Sequence, residues 1–393
     1  MSSKKPELSR GGTYWVALSG GLDSTVLLHQ LHAQGLKSLH AIHIHHGLQA
    51  KADRWAAHCR AYCKALKVPF TLEQIKVPAR SPQGPESAAR SARYAAFRKH
   101  LRHGDCLVTA HHRDDQAETV LLRLLRGTGV QGLAAMRPLS DFEPGKLWRP
   151  LLDAPRTDLL SYAQEHKLKW IEDPHNREPR YARSWLRQKL MPQLEARFPS
   201  AKASLARAAA HAAEAAELLD VLAEQDSASA AQQHVLSVSA LLALTPARRN
   251  NLLRHWIQAQ GHEPPPAETL LRIETEVLGA RADAEPLLAW GDAELRRYRD
   301  TLHVLTRQPR AALPKRKLPA GVSLRYAKGG EKLKPAGAAH TRSLKNLFQE
   351  AGIPPWVRQR TPLIYENDQL IGVLGLFHSA RSIELGLQRL KNS

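Results

Sequence analysis

The sequence predicts an α/β fold: a parallel sheet with helices on both faces, then a mainly helical region, then a small α+β module. Three observations carry that reading. Short apolar runs alternate with helical stretches from Val16 to Arg126, the pattern of βα units feeding a parallel sheet. The first apolar run ends in Ser19-Gly20-Gly21, a turn with almost no side chain, and opens straight into a helix. With 393 residues, the chain is also too long for one ordinary domain.

Taken in order, Val16 to Leu18 reads as a buried strand and Leu22 to Leu31 as a helix with Leu22, Val26 and Leu27 on one face. Ser38 to His45 is a second strand, and His46-Gly47-Leu48 turns out of its carboxyl end. Asp53 to Leu66 is a helix, Phe70 to Val77 a third strand, and Pro78 to Pro85 a loop rich in Pro and Gly. Glu86 to Leu101 is helical, Asp105 to Ala110 is a fourth strand, and Asp115 to Arg126 is a helix closed by Gly127. Helices continue over 156–198, and Ala201 to Ala231 is one long alanine-rich helix. Leu236 to Trp256 and Ala267 to Val277 read as further helices, and Ala289 to Thr306 alternates as a small sheet does. A basic, proline-containing linker from Pro309 to Pro319 precedes the last module. The domains expected are 1–198, 199–308 and 320–393.

Composition narrows the partners. No run is apolar enough to cross a membrane and the first residues carry no signal-type stretch, so a cytoplasmic protein with no membrane partner is expected. The three cysteines form no Cys-x-x-Cys, which argues against a disulfide framework or a zinc knuckle. The net charge of +20 is uneven: +13 over 1–200, −4 over 201–306 and +11 over 307–393. Two basic blocks in one chain favour a polyanionic partner.

Ligands of parallel sheets bind at the carboxyl ends of the strands. The Ser19 turn, the His45-His46 turn and the His111-His112 turn all follow strands and are expected to share one cleft. The first turn aims backbone N–H groups and a helix N-terminus at one point, which suits an anion. It lacks the Gly-Lys-Ser/Thr ending of a Walker loop and the third glycine of a dinucleotide loop. Asp23 inside the turn would repel phosphate unless a cation lay between, which points to Mg²⁺ on a pyrophosphate. A plain turn capped by Asp23 explains a lone Ser-Gly-Gly; the full Ser19-Gly20-Gly21-Leu22-Asp23-Ser24 string favours phosphate.

Residues 109–119 are the densest polar cluster. Asp115 and Glu118 are three apart, hence neighbours on one helical face, and suit either Mg²⁺ or an ammonium. His111 suits the charge of a triphosphate. Helix capping explains part of this block, but not two histidines, two aspartates and a glutamine in a row. Arg123 and Arg126 sit beside a glycine-rich loop. Arg90, Arg93 and Tyr94 share a helical face, and Arg183, Trp185 and Arg187 form a second arginine–aromatic group, although Trp185 reads better as ordinary half-buried helix surface. Exposed arginine with aromatic side chains is the usual means of holding single-stranded RNA.

Several further blocks occur in order with these: Arg149-Pro150-Leu151-Leu152, Asp173-Pro174-x-Asn176, Gly329-Gly330-Glu331, Leu344-Lys345-x-Leu347-Phe348-Gln349-Glu350 and Ile353-Pro354-Pro355-Trp356-x-Arg358. Together with His46-Gly47-Leu48, the Ser19 loop and the His111 to Glu118 block, they resemble the tRNA(Ile)-lysidine synthetase family, in its long three-domain bacterial form. The loop is shared across the N-type ATP pyrophosphatase (PP-loop) superfamily. The His111 block and the Pro-Pro-Trp segment are far more specific.

The resemblance implies a PP-loop catalytic domain at 1–198, a tRNA-substrate domain at 199–308 and a basic tRNA-binding domain at 320–393. It implies adenylation of the wobble cytidine of a CAU-anticodon isoleucine tRNA, then attack by the ε-amine of L-lysine. ATP would lie on Ser19, Gly20, Gly21, Leu22, Asp23, Ser24, His46 and His111, with Mg²⁺ on Asp23. Asp115 and Glu118 would hold the lysine amine and accept its proton, with Mg²⁺ as the competing occupant. Arg183 would position the nucleotide or its activated base. Contacts to tRNA are expected from Arg90, Arg93, Arg126, Arg187, Lys345, Trp356 and Arg358. The chain departs from the pattern at Ser184, where the family usually has asparagine, and at Ala338-Ala339, near which it usually carries a further arginine. The alternatives are a tRNA cytidine 2-thiolation enzyme of the same superfamily and a non-catalytic tRNA-binding protein. Oligomeric state is left open, a homodimer included.

Overall fold

The computed structural model describes residues 5–45, 52–76, 85–172, 182–232, 234–281, 284–307, 313–314 and 318–390. It divides into two compact units, Met1–Leu219 and Asp220–Ser393.

The first unit opens with β1 (Tyr14–Ala17), α1 (Leu22–Ala33), β2 (Leu39–His45), α2 (Ala52–Ala65), β3 (Phe70–Gln74), α3 (Pro85–His100), β4 (Cys106–Val108) and α4 (Arg113–Leu124). Each lies where the apolar pattern places it, with ends shifted by a few residues. A short α5 (Val130–Leu133) follows, then β5 (Leu139–Phe142) and β6 (Gly145–Trp148). No element is expected here from the sequence, because two four-residue strands leave no period to read. α6 (Arg156–Glu165) comes next. α7 (Ala182–Trp185) then runs through a π-helical stretch, Leu186–Leu190, into α8 (Met191–Arg197).

The sheet order is β3-β2-β1-β4-β6-β5, parallel throughout except for the β5–β6 pair. Alternate residues of each strand enter different cores. Tyr14, Val16, Ala41, Cys106 and Val108 pack with Val26, Leu27, Leu31, Cys59, Cys63 and Leu159, so α1, α2 and α6 cover one face. Ile42, Ile44 and Leu107 pack with Ala96, Phe97 and Leu101, so α3 covers the other. The chain winds outward from β1 to β3, then crosses back to place β4 on the other side of β1. The order therefore reverses between β1 and β4, the position where doubly wound sheets open a crevice.

α9 (Ala201–Ala230) carries buried alanines at 209, 216, 223 and 230, a stripe at seven-residue spacing. In the second unit, β7 (Ala231–Gln232), β8 (Val235–Ser237), β9 (Leu287–Trp290), β10 (Ala293–Tyr298) and β11 (Thr301–Thr306) form an antiparallel sheet in the order β7-β8-β11-β10-β9. Helices α10 (Val238–Ala243), α11 (Pro246–Ala259) and α12 (Ala267–Arg272) complete its core. The single helix expected over 236–256 is thus a strand and two helices, broken at Thr245-Pro246, where proline starts the next helix. The last module pairs β12 (Val322–Arg325), β15 (Leu363–Glu366), β16 (Gln369–Val373) and β17 (Phe377–His378), with a hairpin of β13 (Lys332–Leu333) and β14 (Arg342–Ser343). It also holds helices α13 (Leu344–Glu350), α14 (Pro355–Arg358) and α15 (Ala380–Glu384).

Candidate active site

The β1 and β4 ends meet at the switch point. Leu18 N–H donates to Ile42 O at 2.9 Å, extending the sheet to the start of the turn. Gly20 takes a φ of +85°, and a Cβ there would lie 2.9 Å from Cys59 Sγ, so both conformation and space require glycine. Ser24 Oγ accepts from Ser19 N–H at 3.2 Å, Ser19 Oγ accepts from Gly21 N–H at 3.3 Å, and the two hydroxyls are 3.0 Å apart. The serines fix the turn from within, with the first turn of α1 directly behind it. Asp23 lies in that first turn. Its Oδ2 is 3.7 Å from His112 Nε2 and its Oδ1 3.8 Å from Arg156 Nε, yet Oδ1 is buried and accepts no hydrogen bond.

Beyond β4, Thr109 Oγ1 and His111 Nδ1 are 2.8 Å apart. Burial, aided by Arg149, Arg90 and Arg183 and opposed by Asp115, pushes the His111 imidazole down to about 3. It is therefore a neutral hydrogen-bonding ring at pH 7. His112 is the N-cap of α4, and Asp115 Oδ2 accepts from its N–H at 3.2 Å. Burial disfavours charge on His112, but Asp23, Asp115 and Asp114 outweigh it and raise its pKa.

Glu118 lies one turn further, with a side chain only 2% exposed. Arg187 Nε and Nη2 donate to its two oxygens at 2.6 and 3.0 Å, and Nη2 also reaches Asp115 Oδ1 at 3.0 Å. Arg183 Nε is 3.6 Å from Glu118 Oε2, while its Nη2 donates to Thr119 Oγ1 at 2.6 Å. Burial would raise the Asp115 carboxyl, but His112, His111, Arg187 and Arg183 hold it below the usual carboxylate range. Burial likewise opposes charge on Arg187, yet Glu118 and Asp115 leave its pKa raised. The direct bonds make this an ion pair at neutral pH, although burial still pushes the Glu118 carboxyl up. Arg187, expected on RNA, instead clamps both carboxylates.

Residues 4–194 match the family described as PP-loop domain, 236–303 the TilS substrate binding domain and 322–389 the TilS substrate C-terminal domain. The tRNA(Ile)-lysidine synthase of Methylococcus capsulatus is 41% identical over 412 residues, covering 95% of this chain and 94% of that one. The chain belongs to the tRNA(Ile)-lysidine synthase family. Its synthase relatives from Alkalilimnicola ehrlichii and Xylella fastidiosa are 42% and 43% identical, covering 92% and 91% of this chain and 89% of each of theirs. A solved U34-tRNA thiolase, NcsA from Methanococcus maripaludis, overlays with a TM-score of 0.44 at 19% identity, covering 53% of this chain and 74% of that one.

In this family member, Ser19 to Ser24, His111, Asp115, Glu118, Arg183 and Arg187 gather at the switch point. His46, the Asp173-Pro174-x-Asn176 segment and Tyr181 lie outside the described residues. Arg90, Arg126 and Lys345 are exposed, Arg93 is half-buried, and Trp185 is 46% exposed. Trp356, expected among the tRNA contacts, is only 6% exposed. It packs against Tyr298 and His303, with Arg296 over its face, and Arg358 donates to Ile353 O and to the Tyr298 hydroxyl. Both side chains join the last module to β10 and β11. Sequence reading missed Lys202, whose Nζ lies 2.6 Å from Asp114 Oδ2, and Arg156, near Asp23. No motif marked either; only the fold brings them to the block. Among the described residues no helix is long and apolar enough to cross a membrane, and no group of three His, Cys, Asp or Glu side chains is placed to hold a metal ion alone.

Proposed function

We propose that this family member joins free L-lysine to C2 of the wobble cytidine of an isoleucine tRNA with a CAU anticodon, using ATP, in the cytoplasm. The supporting observation is the meeting, at one switch point, of a phosphate turn with an enclosed carboxylate pair and two arginines. In this reading the phosphates of ATP lie against Ser19 to Ser24 and the start of α1. The cytidine O2 attacks the α-phosphorus, the bond to the bridging oxygen breaks, and pyrophosphate leaves. The ε-amine then attacks C2, the C2–O bond breaks, and AMP departs with that oxygen. The amine proton goes to the Asp115/Glu118 pair. Arg183, anchored on Thr119, positions the activated base.

The orphaned Oδ1 of Asp23 fits a divalent cation that completes its shell with substrate phosphates. Mg²⁺ held there would neutralise charge on the leaving pyrophosphate. Arg187 already occupies the seat an ammonium would take between Asp115 and Glu118, so lysine enters by exchange with the guanidinium. All three cysteines are buried, and burial pushes each thiol up to about 12, which gives a sulfur-transfer reading no thiolate to use. The deciding experiment is mass analysis of nucleosides after incubation with tRNA, ATP and lysine. The mass of lysidine should appear, and should vanish when ATP or lysine is omitted. Pyrophosphate release without that product would reject the proposal.

A further inference from the structure

We infer that Arg149, Arg90, Arg123 and Tyr94 form a site for one backbone phosphodiester of the bound RNA, beside the reacting cytidine. Arg149 directly follows β6, next to the end of β4, where Thr109 N–H donates to Trp148 O at 3.0 Å. It is 7% exposed. Its Nη1 donates to Arg137 O at 2.7 Å and Ser140 Oγ at 3.4 Å, while its Nε is buried with no hydrogen-bond partner. A guanidinium this deep ordinarily faces a carboxylate. Among the described residues, no acid lies within ion-pair distance of Arg149, Arg90 or Arg123.

More cations converge instead. The exposed Arg90 guanidinium lies 4.7 Å from the centre of the Tyr94 ring and donates to its hydroxyl at 3.3 Å. Tyr94 also favours the charged form of Arg149. Arg123 is fixed from α4 by bonds to Gly132 O at 2.8 Å and Ala135 O at 3.0 Å. Burial lowers the basicity of Arg149, which Tyr94 opposes and Arg90 and Arg123 reinforce, and burial with repulsion from Arg90 and Arg126 lowers that of Arg123; one bound anion would offset the repulsion. The cluster has a buried floor and an exposed rim, and a guanidinium fork matches phosphate oxygens. The phosphates of ATP are poor candidates. Their turn follows β1, and β4 separates β1 from β6, an offset of about 10 Å.

This inference rests on the proposed RNA substrate. The test uses the full chain and anticodon stem–loops in which each loop linkage in turn is a neutral methylphosphonate. Binding is read by fluorescence anisotropy at fixed salt. One linkage should weaken wild-type binding by at least about tenfold. The same linkage should cost little in Arg90→Met or in Arg149→Lys, which keeps the charge but loses the fork. Thermal unfolding shows whether Arg149→Lys is folded, and Arg90→Met, at the exposed rim, carries the test if it is not. Affinity for ATP should not change. Multiplying effects of Arg90→Met and methylphosphonate at every linkage overturn the inference. So does an Arg90→Met variant that loses ATP rather than RNA. The parent reading fails separately, when wild type makes no lysidine on the all-phosphate stem–loop, because coupling is read from binding alone. A stem–loop that does not bind at all overturns both.

Discussion

Glu118→Gln keeps the shape of an enclosed side chain and removes its charge. Both carboxylate oxygens are taken by Arg187, at 2.6 and 3.0 Å. The amide retains one acceptor and turns an NH₂ towards the guanidinium, so one bond is lost and the other weakened. Removing a partner from a buried pair costs about 3–5 kcal/mol. Here Arg187 is 40% exposed and keeps Asp115 Oδ1 at 3.0 Å, so water and Asp115 absorb part of the loss. The expected destabilisation is about 1–2 kcal/mol, small enough to leave the protein folded. The catalytic effect is larger and selective. Losing a charge-assisted bond to the lysine ammonium, worth about 1.5–3 kcal/mol, should raise the KM for lysine about 10- to 100-fold. First-turnover pyrophosphate release should stay near wild type, because the phosphate turn belongs to α1. Quench-flow of pyrophosphate against lysidine mass, at rising lysine, separates the two steps. Arg187→Met should act oppositely and lower the lysine KM, since it vacates the seat. Collapse of pyrophosphate release in Glu118→Gln, partly restored by extra Mg²⁺, would refute the reasoning and give the pair to a cation.

Three further expectations use other parts of the site. Asp23→Ala should abolish ATP-dependent chemistry with tRNA affinity largely kept; near-normal pyrophosphate release would remove Asp23 from the phosphate site. Gly20→Ala forces a Cβ to 2.9 Å from Cys59 Sγ at a φ of +85°. Strain of about 1–2 kcal/mol should appear in urea unfolding, and ATP affinity should drop; unchanged values of both would show that the turn tolerates a side chain. His112 has a raised pKa, so its charged form stabilises the fold fully below pH 6.5, and that benefit fades as pH climbs through the raised value. The Tm difference between wild type and His112→Asn should therefore be larger at pH 6 than well above pH 7; the reverse trend would mean His112 is held neutral.

Much of the first unit was legible because each strand or helix announces itself locally. Val16, Ile42 and Val108 sit in apolar runs, and Gly20 stands where only a turn of positive φ makes sense. The β5–β6 hairpin was not legible, since four-residue strands leave no period to read. The cluster at 109–119 does lie beside the Ser19 turn, with His112 Nε2 3.7 Å from Asp23 Oδ2, but its spacing does not show which side chains pair with it. Arg187 lies 69 residues from Glu118, and nothing in its helix distinguishes an arginine aimed inward from one aimed at RNA. The charge state of His111 was not legible for a related reason: it depends on burial, which spacing does not report. Trp356 and Arg358 were expected on tRNA from the resemblance alone, and no local pattern shows that an arginine beside an aromatic ring here joins two modules.

That junction decides how the basic carboxyl-terminal block must be tested. Charge divides the chain near residue 307, where an acidic stretch gives way to net +11. Packing does not divide there: Trp356 rests on Tyr298 and His303, and Arg299 Nη2 donates to Gln349 O at 2.7 Å, all within one compact unit. Deleting residues 309–393 would strip Tyr298 and His303 of their cover, and weaker binding would then report unfolding as readily as missing charge. Surface substitutions avoid this. Lys332, Lys334 and Lys345 are exposed, and each can become glutamine without opening a core. If the block holds RNA phosphates, the triple variant should bind tRNA more weakly at low salt with an unchanged Tm. Its slope of log affinity against log salt should shrink by about 0.7–0.9 for each RNA phosphate that no longer meets a lysine. An unchanged slope would mean that these cations only solvate the surface, and that the RNA is held by the arginines of the first unit.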